Sequence, residues 1–388
     1  MKIPYGPPKA LFSSAGTYGT AGEAWLRGPV FVSGLIKFPL KDEDFKRAYG
    51  KITDADEHKK LVSAVTDAGK FLDAYGDPVT LTKKLAEDGD YLLKKDPPPE
   101  FYAQAVWAAH RAGSAASTFA STAQNLLKML NDQPQKHKEN AAAVRQAFTG
   151  AGGLASLSAE QKKDFSGLAL KAEQMVMTFV VVQKPLTDHL GKGSKTYASA
   201  KEARKEVENQ AAAFDGAAEA AWTEWLGYRG AQPEQTLDVC VVNCGVPVGV
   251  AKLDGPAPKD RAVVARTTYT SLQDAVNVAD DEVGDKACLA ADLGGFDHQA
   301  KALPDALAAL RQRAADMATA WDKVSAALRS ASALPDDVLG DPARLDDALD
   351  LTSGAQDWEK LAAAAEAFTQ SALVAPTFAP WGLPLSAK

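Results

Sequence analysis

The sequence predicts a mainly all-α protein: an elongated antiparallel bundle of long helices with one small apolar β-hairpin tongue between two of them. Three observations carry this. Apolar residues recur at alternating spacings of three and four over long stretches, Ala supplies an unusually large share of the apolar content, and a single valine-rich stretch breaks the pattern. Ala is the strongest helix former and a weak hydrophobe, so this usage favours helices joined by thin seams over a thick core.

Residues 1–56 are rich in Gly, Pro and aromatics, and Trp25 to Val32 reads as an extended or irregular segment packed on the bundle. From Glu57 the series His58, Leu61, Val65, Ala68, Leu72, Tyr75 lies along one helix face, and the first part of the bundle runs from there over 57–235. After Pro97-Pro98-Pro99, the series Phe101, Ala105, Ala108, Ala112, Ala115, Phe119, Thr122, Leu126, Met129 continues until Pro134 forbids it, a helix of about 50 Å at 1.5 Å per residue. Ser158 with Gln161 has the form of a capping box, and Phe165 to Val182 extends a seam to a break expected between Pro185 and Gly193. Ser199 with Glu202 opens a further helix that ends at Gly230.

The return part of the bundle spans 259–375. Pro304 suits a first helical position, and Leu307, Leu310, Ala314, Met317, Trp321, Val324 and Leu328 follow in register. A shorter helix carries Trp358, Leu361, Ala365, Phe368 and Ala372, and a Pro-rich tail occupies 376–388.

The segment that departs from the pattern is 236–258. It carries no charge from Val239 to Ala251. Val239 and Val241 alternate on one side of Asn243-Cys244-Gly245, and Val246, Val248 and Val250 on the other, which reads as a β-hairpin with Pro247 at an edge. Its arms are shorter than the ~9 to 11 residues of a membrane-crossing strand. Two readings remain open from the residues: a tip that contacts lipid or a partner, or a clasp packed on the bundle.

Net charge −7 argues against a nucleic-acid groove, and nucleic acid is not an expected partner. No stretch reads as the ~20 apolar residues of a spanning helix, and the first residues lack a secretory signal, so a soluble chain made without a Sec address is expected. Cys240, Cys244 and Cys288 are too few for a disulfide framework and have no zinc-finger spacing; no metal or other cofactor is expected. Neither a Cys/His nucleophile recruiting His189 or His298 nor a phosphate loop at Gly150 to Gly153 has local support, and no catalytic residues are assigned. Asp280-Asp281-Glu282 and Asp346-Asp347 read as solvated faces. His58 and His110 read as packed or surface histidines, and Trp107, Trp222, Trp225, Trp321 and Trp358 as seam residues.

Long Ala-rich helices, the apolar excursion at Leu237 to Ala251, the Leu307 to Leu328 return helix and a late helix with Trp358 together resemble the cytolysin A-like α-pore-forming toxins. That family includes the haemolysin BL and non-haemolytic enterotoxin components, the xenorhabdolysins and the helical crystal toxins. The likeness is architectural and covers most of 57–375. It implies a soluble form, released from its cell, that converts to a membrane-bound homo- or hetero-oligomer on a target-cell membrane, with partner toxin components. It implies membrane contact through Val239, Val241, Val242, Val246, Val248 and Val250. The long apolar head of the most membrane-active members is missing, which points to a component needing a partner. A coiled-coil scaffold whose hairpin docks a protein is the alternative.

Overall fold

The computed structural model describes residues 3–13, 16–36, 38–49, 55–190, 195, 198, 238–242, 247–250, 281–373 and 377–379. Its helices are α1 (Glu23–Ile36), α2 (Asp42–Tyr49), α3 (Ala55–Asp67), α4 (Gly69–Tyr75), α5 (Pro78–Glu87), α6 (Phe101–Asp132), α7 (His137–Thr149) and α8 (Leu154–Leu190). Strands β1 (Asp238–Val242) and β2 (Pro247–Val250) precede α9 (Asp281–Ser332), α10 (Asp336–Leu339), α11 (Pro342–Leu349), α12 (Leu351–Ala372) and β3 (Thr377–Ala379). The protein is a helical bundle. Two compact units divide it, the first drawn from Met1–Ala21, Thr82–Ala172 and Leu310–Leu373, the second from Gly22–Leu81, Glu173–Ala309 and Val374–Lys388.

In the first unit α12 lies along α6, and α10 lies on α7. The heptad series places Phe101, Ala108, Ala112, Phe119, Ala314, Met317, Leu361 and Ala365 in the core. The seam is thin because it is built from Ala and Gly: a Cβ added to Gly113 would stand 3.1 Å from that of Ala365. Aromatic rings fill its centre. Trp358 packs against Phe119 at 4.4 Å and stacks on Trp321 at 5.4 Å, ring centroid to centroid. The N-terminal strap closes this cluster: Tyr5 Oη donates to the Phe119 carbonyl at 2.7 Å, and Trp358 Nε1 donates to the Tyr5 carbonyl at 2.8 Å. Arg313 donates to the carbonyls of Phe12 and Gly19, each at 2.7 Å, fixing the strap's second half.

In the second unit Phe31 and Phe71 close around Phe179, with centroids 5.3 and 5.0 Å from it, and Phe296 stands 5.2 Å from Phe31. Trp25 to Val32 is helical rather than extended. Gly28 and Pro29 sit inside α1, and glycine is needed there because a Cβ would fall 1.7 Å from Tyr75 Oη. The single helix expected from Glu57 to Tyr75 is two, α3 and α4, with Phe71 N–H bonding back three residues to the Ala68 carbonyl at the joint.

Two further boundaries differ from those read in the sequence. The start expected at Ser158 lies at Leu154, after Gly152, whose φ of +73 turns the chain; Ser158 is instead inside α8, donating to the Leu154 carbonyl, and Gln161 is buried with it. Pro304 does not start a helix but lies within α9, between buried Leu303 and Leu307. α8 runs through Pro185 and ends at Leu190, inside the interval where a break is expected, with Leu186 and Leu190 fully buried. At both prolines the burial of neighbouring Leu side chains offsets the ~3 kcal/mol that an interior proline costs. The tail contributes β3, parallel to β1, in a sheet of order β2-β1-β3. The helix expected from Ser199 to Gly230 lies outside the described residues.

Candidate functional site

The valine-rich segment is described through its backbone strands. β1 pairs antiparallel with β2 in the register Asp238 with Val250, Val239 with Gly249, Cys240 with Val248 and Val241 with Pro247. Pro247, which lacks an N–H, opens the edge strand, where a missing ladder donor costs least. The register sets Val248 and Val250 opposite Cys240 and Asp238, and sets Val239 and Val241 opposite Gly249 and Pro247. The valines of the two arms therefore occupy alternate positions of the pleat instead of facing one another across the ladder. Val242 ends β1 opposite Ala379 of β3, and Val246 lies outside the described residues.

The other residues singled out in the sequence fall into structural roles. Trp107, Trp321 and Trp358 are buried, while Trp222 and Trp225 lie outside the described residues. Asp346 is a turn anchor, accepting from the Thr352 N–H at 2.8 Å and its hydroxyl at 3.0 Å at the start of α12. Cys240 is in β1, Cys288 is in α9 and Cys244 lies outside the described residues. Among the described residues no group of three His, Cys, Asp or Glu could hold a metal ion.

Charges gather at one buried point of the second unit. Glu57 takes Lys60 Nζ at 2.8 Å, with Lys195 Nζ at 3.8 Å and His189 Nδ1 at 3.9 Å. The Lys60 ammonium holds the Glu57 carboxyl below the usual carboxylate range. The pairing of Glu57 with His189 ties α3 to the end of α8.

One surface was not singled out in the sequence. Met177, Val180 and Val181 of α8 are 60%, 55% and 75% exposed, although they adjoin the seam residues Met175 and Phe179. The stretch His137–Leu190 holds an 18-residue window long and apolar enough to cross a membrane by length and composition, contrary to the expectation from the sequence, and only 28% of that window is buried. The signal was present in the run Met175 to Val182, which is apolar on more of the helix circumference than a core stripe requires.

No protein-family model matches the sequence, and no curated protein matches it. Solved structures do match the fold. Soluble SmhA of the tripartite α-pore-forming toxin Smh from Serratia marcescens superposes with a TM-score of 0.62 at 14% identity, over 97% of this chain and 98% of that one. A second crystal form of SmhA gives 0.61 at 13%. The Bacillus cereus HblL1 toxin component gives 0.55 at 12%, over 94% and 97% of the two chains. At these identities the likeness establishes a shared helical-bundle fold along nearly the whole chain.

Proposed function

We propose that the protein is a component of a multi-part α-pore-forming toxin, a soluble form that becomes a membrane-bound oligomer together with partner components. The observation that carries this is the likeness to SmhA over 97% of this chain and 98% of that one. HblL1, itself a toxin component, supports the same reading. No catalytic step belongs to it: the function is a change of packing partners, from protein seam to lipid and neighbouring subunits.

The thin seams suit such a change. Each buried methylene contributes ~0.8 kcal/mol, so the turn of α6 at Gly113 that faces Ala365 of α12 is held more weakly than one lined with Leu. We assign first membrane contact to the uncharged stretch Val239 to Ala251 of the hairpin, through Val239, Val241, Val242, Val246, Val248 and Val250. The alternation of valines along both arms gives each face of the hairpin apolar positions, as shallow insertion between lipids requires.

The test is dye release from lipid vesicles and lysis of cultured cells by the purified chain, alone and mixed with products of neighbouring genes. Release that requires, or is strongly raised by, a second component is the expected result. Failure to permeabilise in every combination would remove the toxin reading, and capture of a soluble partner through the hairpin would then favour the scaffold alternative.

A further inference from the structure

Isolated apolar side chains are ordinary on a protein surface. Met177, Val180 and Val181 are not isolated: they stand at i, i+3 and i+4, so they share one face of α8, all three more than half exposed. The opposite face is committed to the core, with Met175, Phe179 and Leu186 buried. No charged residue occurs from Gln174 to Gln183. Glu173 and Lys184 bound the exposed face at its ends, about 16 Å apart at 1.5 Å per residue, and Lys184 pairs with its own-helix neighbour Asp188 at 2.7 Å.

A core helix of a water-soluble bundle can equal a membrane segment in length and apolarity, but it then buries most of that apolar surface. Here 28% of the residues of that window are buried, and Met177, Val180 and Val181 are not among them, so core packing does not account for these three. Helix propensity does not account for it either, since three successive valines at 180–182 are poorer helix formers than the Ala used elsewhere in the chain.

We infer that the α8 face formed by Met177, Val180 and Val181 is a second lipid contact, made by this chain without a partner and distinct from the hairpin. The inference rests on the membrane reading above and adds a site to it. The mode is interfacial: the exposed face lies at the headgroup boundary while Phe179 stays against Phe31 and Phe71, and Lys184 turns its ammonium toward lipid phosphate. No helix need leave its unit. A bilayer fits better than a partner helix because the stretch from Gln174 to Gln183 carries no charge with which to set register and lies in a helix that is apolar enough, by length and composition, for a membrane.

The experiment uses the full chain with Cys240, Cys244 and Cys288 replaced by Ser and an environment-sensitive NBD fluorophore attached at Val181→Cys. Parallel labels at Val248→Cys in the hairpin and Lys128→Cys on α6 serve as comparisons. Vesicles are phosphatidylcholine with phosphatidylglycerol, with or without nitroxide-labelled lipid. The Val181 label should rise in intensity about twofold or more and be quenched by nitroxide near the headgroups, as apolar burial at the interface requires. The Lys128 label should not respond. In the otherwise native chain, Met177→Asp with Val181→Asp should weaken vesicle binding roughly tenfold, the loss of part of two buried apolar side chains, without lowering the melting temperature.

Quenching at Val248 alone overturns the α8 contact and leaves the toxin reading standing. A Val181 label that brightens but ignores lipid nitroxide is covered by protein and also overturns it. Absence of vesicle binding by the native chain, or undiminished binding by the double Asp variant, overturns it too. Dye release with partner components then decides the function separately.

Discussion

A proline inside a helix withholds the N–H that the carbonyl four residues earlier would accept. In α9 that carbonyl belongs to Ala300, the residue four before Pro304, and Gln183 of α8 donates its side-chain Nε2 to it at 2.8 Å. The side-chain amide takes the place of the missing backbone donor. Gln183→Leu should therefore cost about 1 to 3 kcal/mol by leaving the Ala300 carbonyl without its partner, whereas in a Pro304→Ala background the same change should cost markedly less. A double-mutant cycle by urea unfolding reads the difference directly, and equal costs in the two backgrounds would reject the substitution of one donor for the other. His58 gives a second residue-scale prediction. Its Nδ1 lies 3.2 Å from Asp42, its ring packs on Phe45 at 4.6 Å, and burial lowers its pKa below 6.5 against the opposing pull of Asp42. A folded pKa below the unfolded one means that the unfolded chain binds the proton more readily, so this contribution is complete well above pH 6.5 and is lost as pH falls through 6.5 toward the folded value. The stability advantage of the native chain over His58→Gln should shrink as pH is lowered from about 7.5 to about 5.5. An advantage that grows on acidification would show that the ion pair with Asp42 outweighs burial.

At the scale of elements, the seams follow from spacing alone. Phe101 to Leu126 in α6, Leu307 to Leu328 in α9 and Trp358 to Ala372 in α12 are readable in sequence because packing along a helix imposes a three–four repeat that no other structure shares. Gly113 tests how tightly that repeat is used. Gly113→Leu should destabilise by about 1 to 3 kcal/mol, since its side chain would have to enter the space between α6 and Ala365, and the midpoint of urea unfolding should fall accordingly. Gly113→Ala should fall well short of that, because a neighbour at 3.1 Å can give slightly and Ala favours the helix. Breakers were read less well than seams. Pro304 marks a helix start in an isolated chain, and what overrides it, the Gln183 amide, is contributed by a helix distant in sequence. Ser158 and Gln161 matched a capping pattern because the same hydroxyl can serve either a cap or the carbonyl four residues back, and only the turn at Gly152 decides between them. The register that pairs Val241 with Pro247 is not readable from the valine segment, because composition does not specify the turn between the arms. The exposed face of α8 was missed because Met175 and Phe179 satisfied the seam, which left their neighbours unremarked.

For the whole molecule, the division into two units separates folding from function in a way that can be measured. The seam of Phe119, Trp321 and Trp358 belongs entirely to the first unit, while the strands with the valines belong to the second. A carboxylate on the hairpin should therefore disable membrane contact without reaching the aromatic seam. Val241→Asp with Val248→Asp changes one residue on each strand, at positions that oppose Pro247 and Cys240 and so fall in different phases of the pleat. Each pleat phase then carries a carboxylate inside the stretch that is uncharged in the native chain, Val239 to Ala251, at a desolvation cost of several kcal/mol per carboxylate on entering lipid. Vesicle permeabilisation by the complete mixture should fall by at least about tenfold. With Trp25, Trp222, Trp225 and Trp381 replaced by Phe, acrylamide quenching of Trp107, Trp321 and Trp358 and the urea midpoint they report should stay as in the parent chain, because all three are buried in the first unit. Loss of both permeabilisation and the tryptophan midpoint would mean that the strands hold the bundle together as a clasp. Retained permeabilisation would mean that lipid contact is made elsewhere, and the exposed face of α8 would then be the first place to look for it, since its own Asp variants report independently of the hairpin.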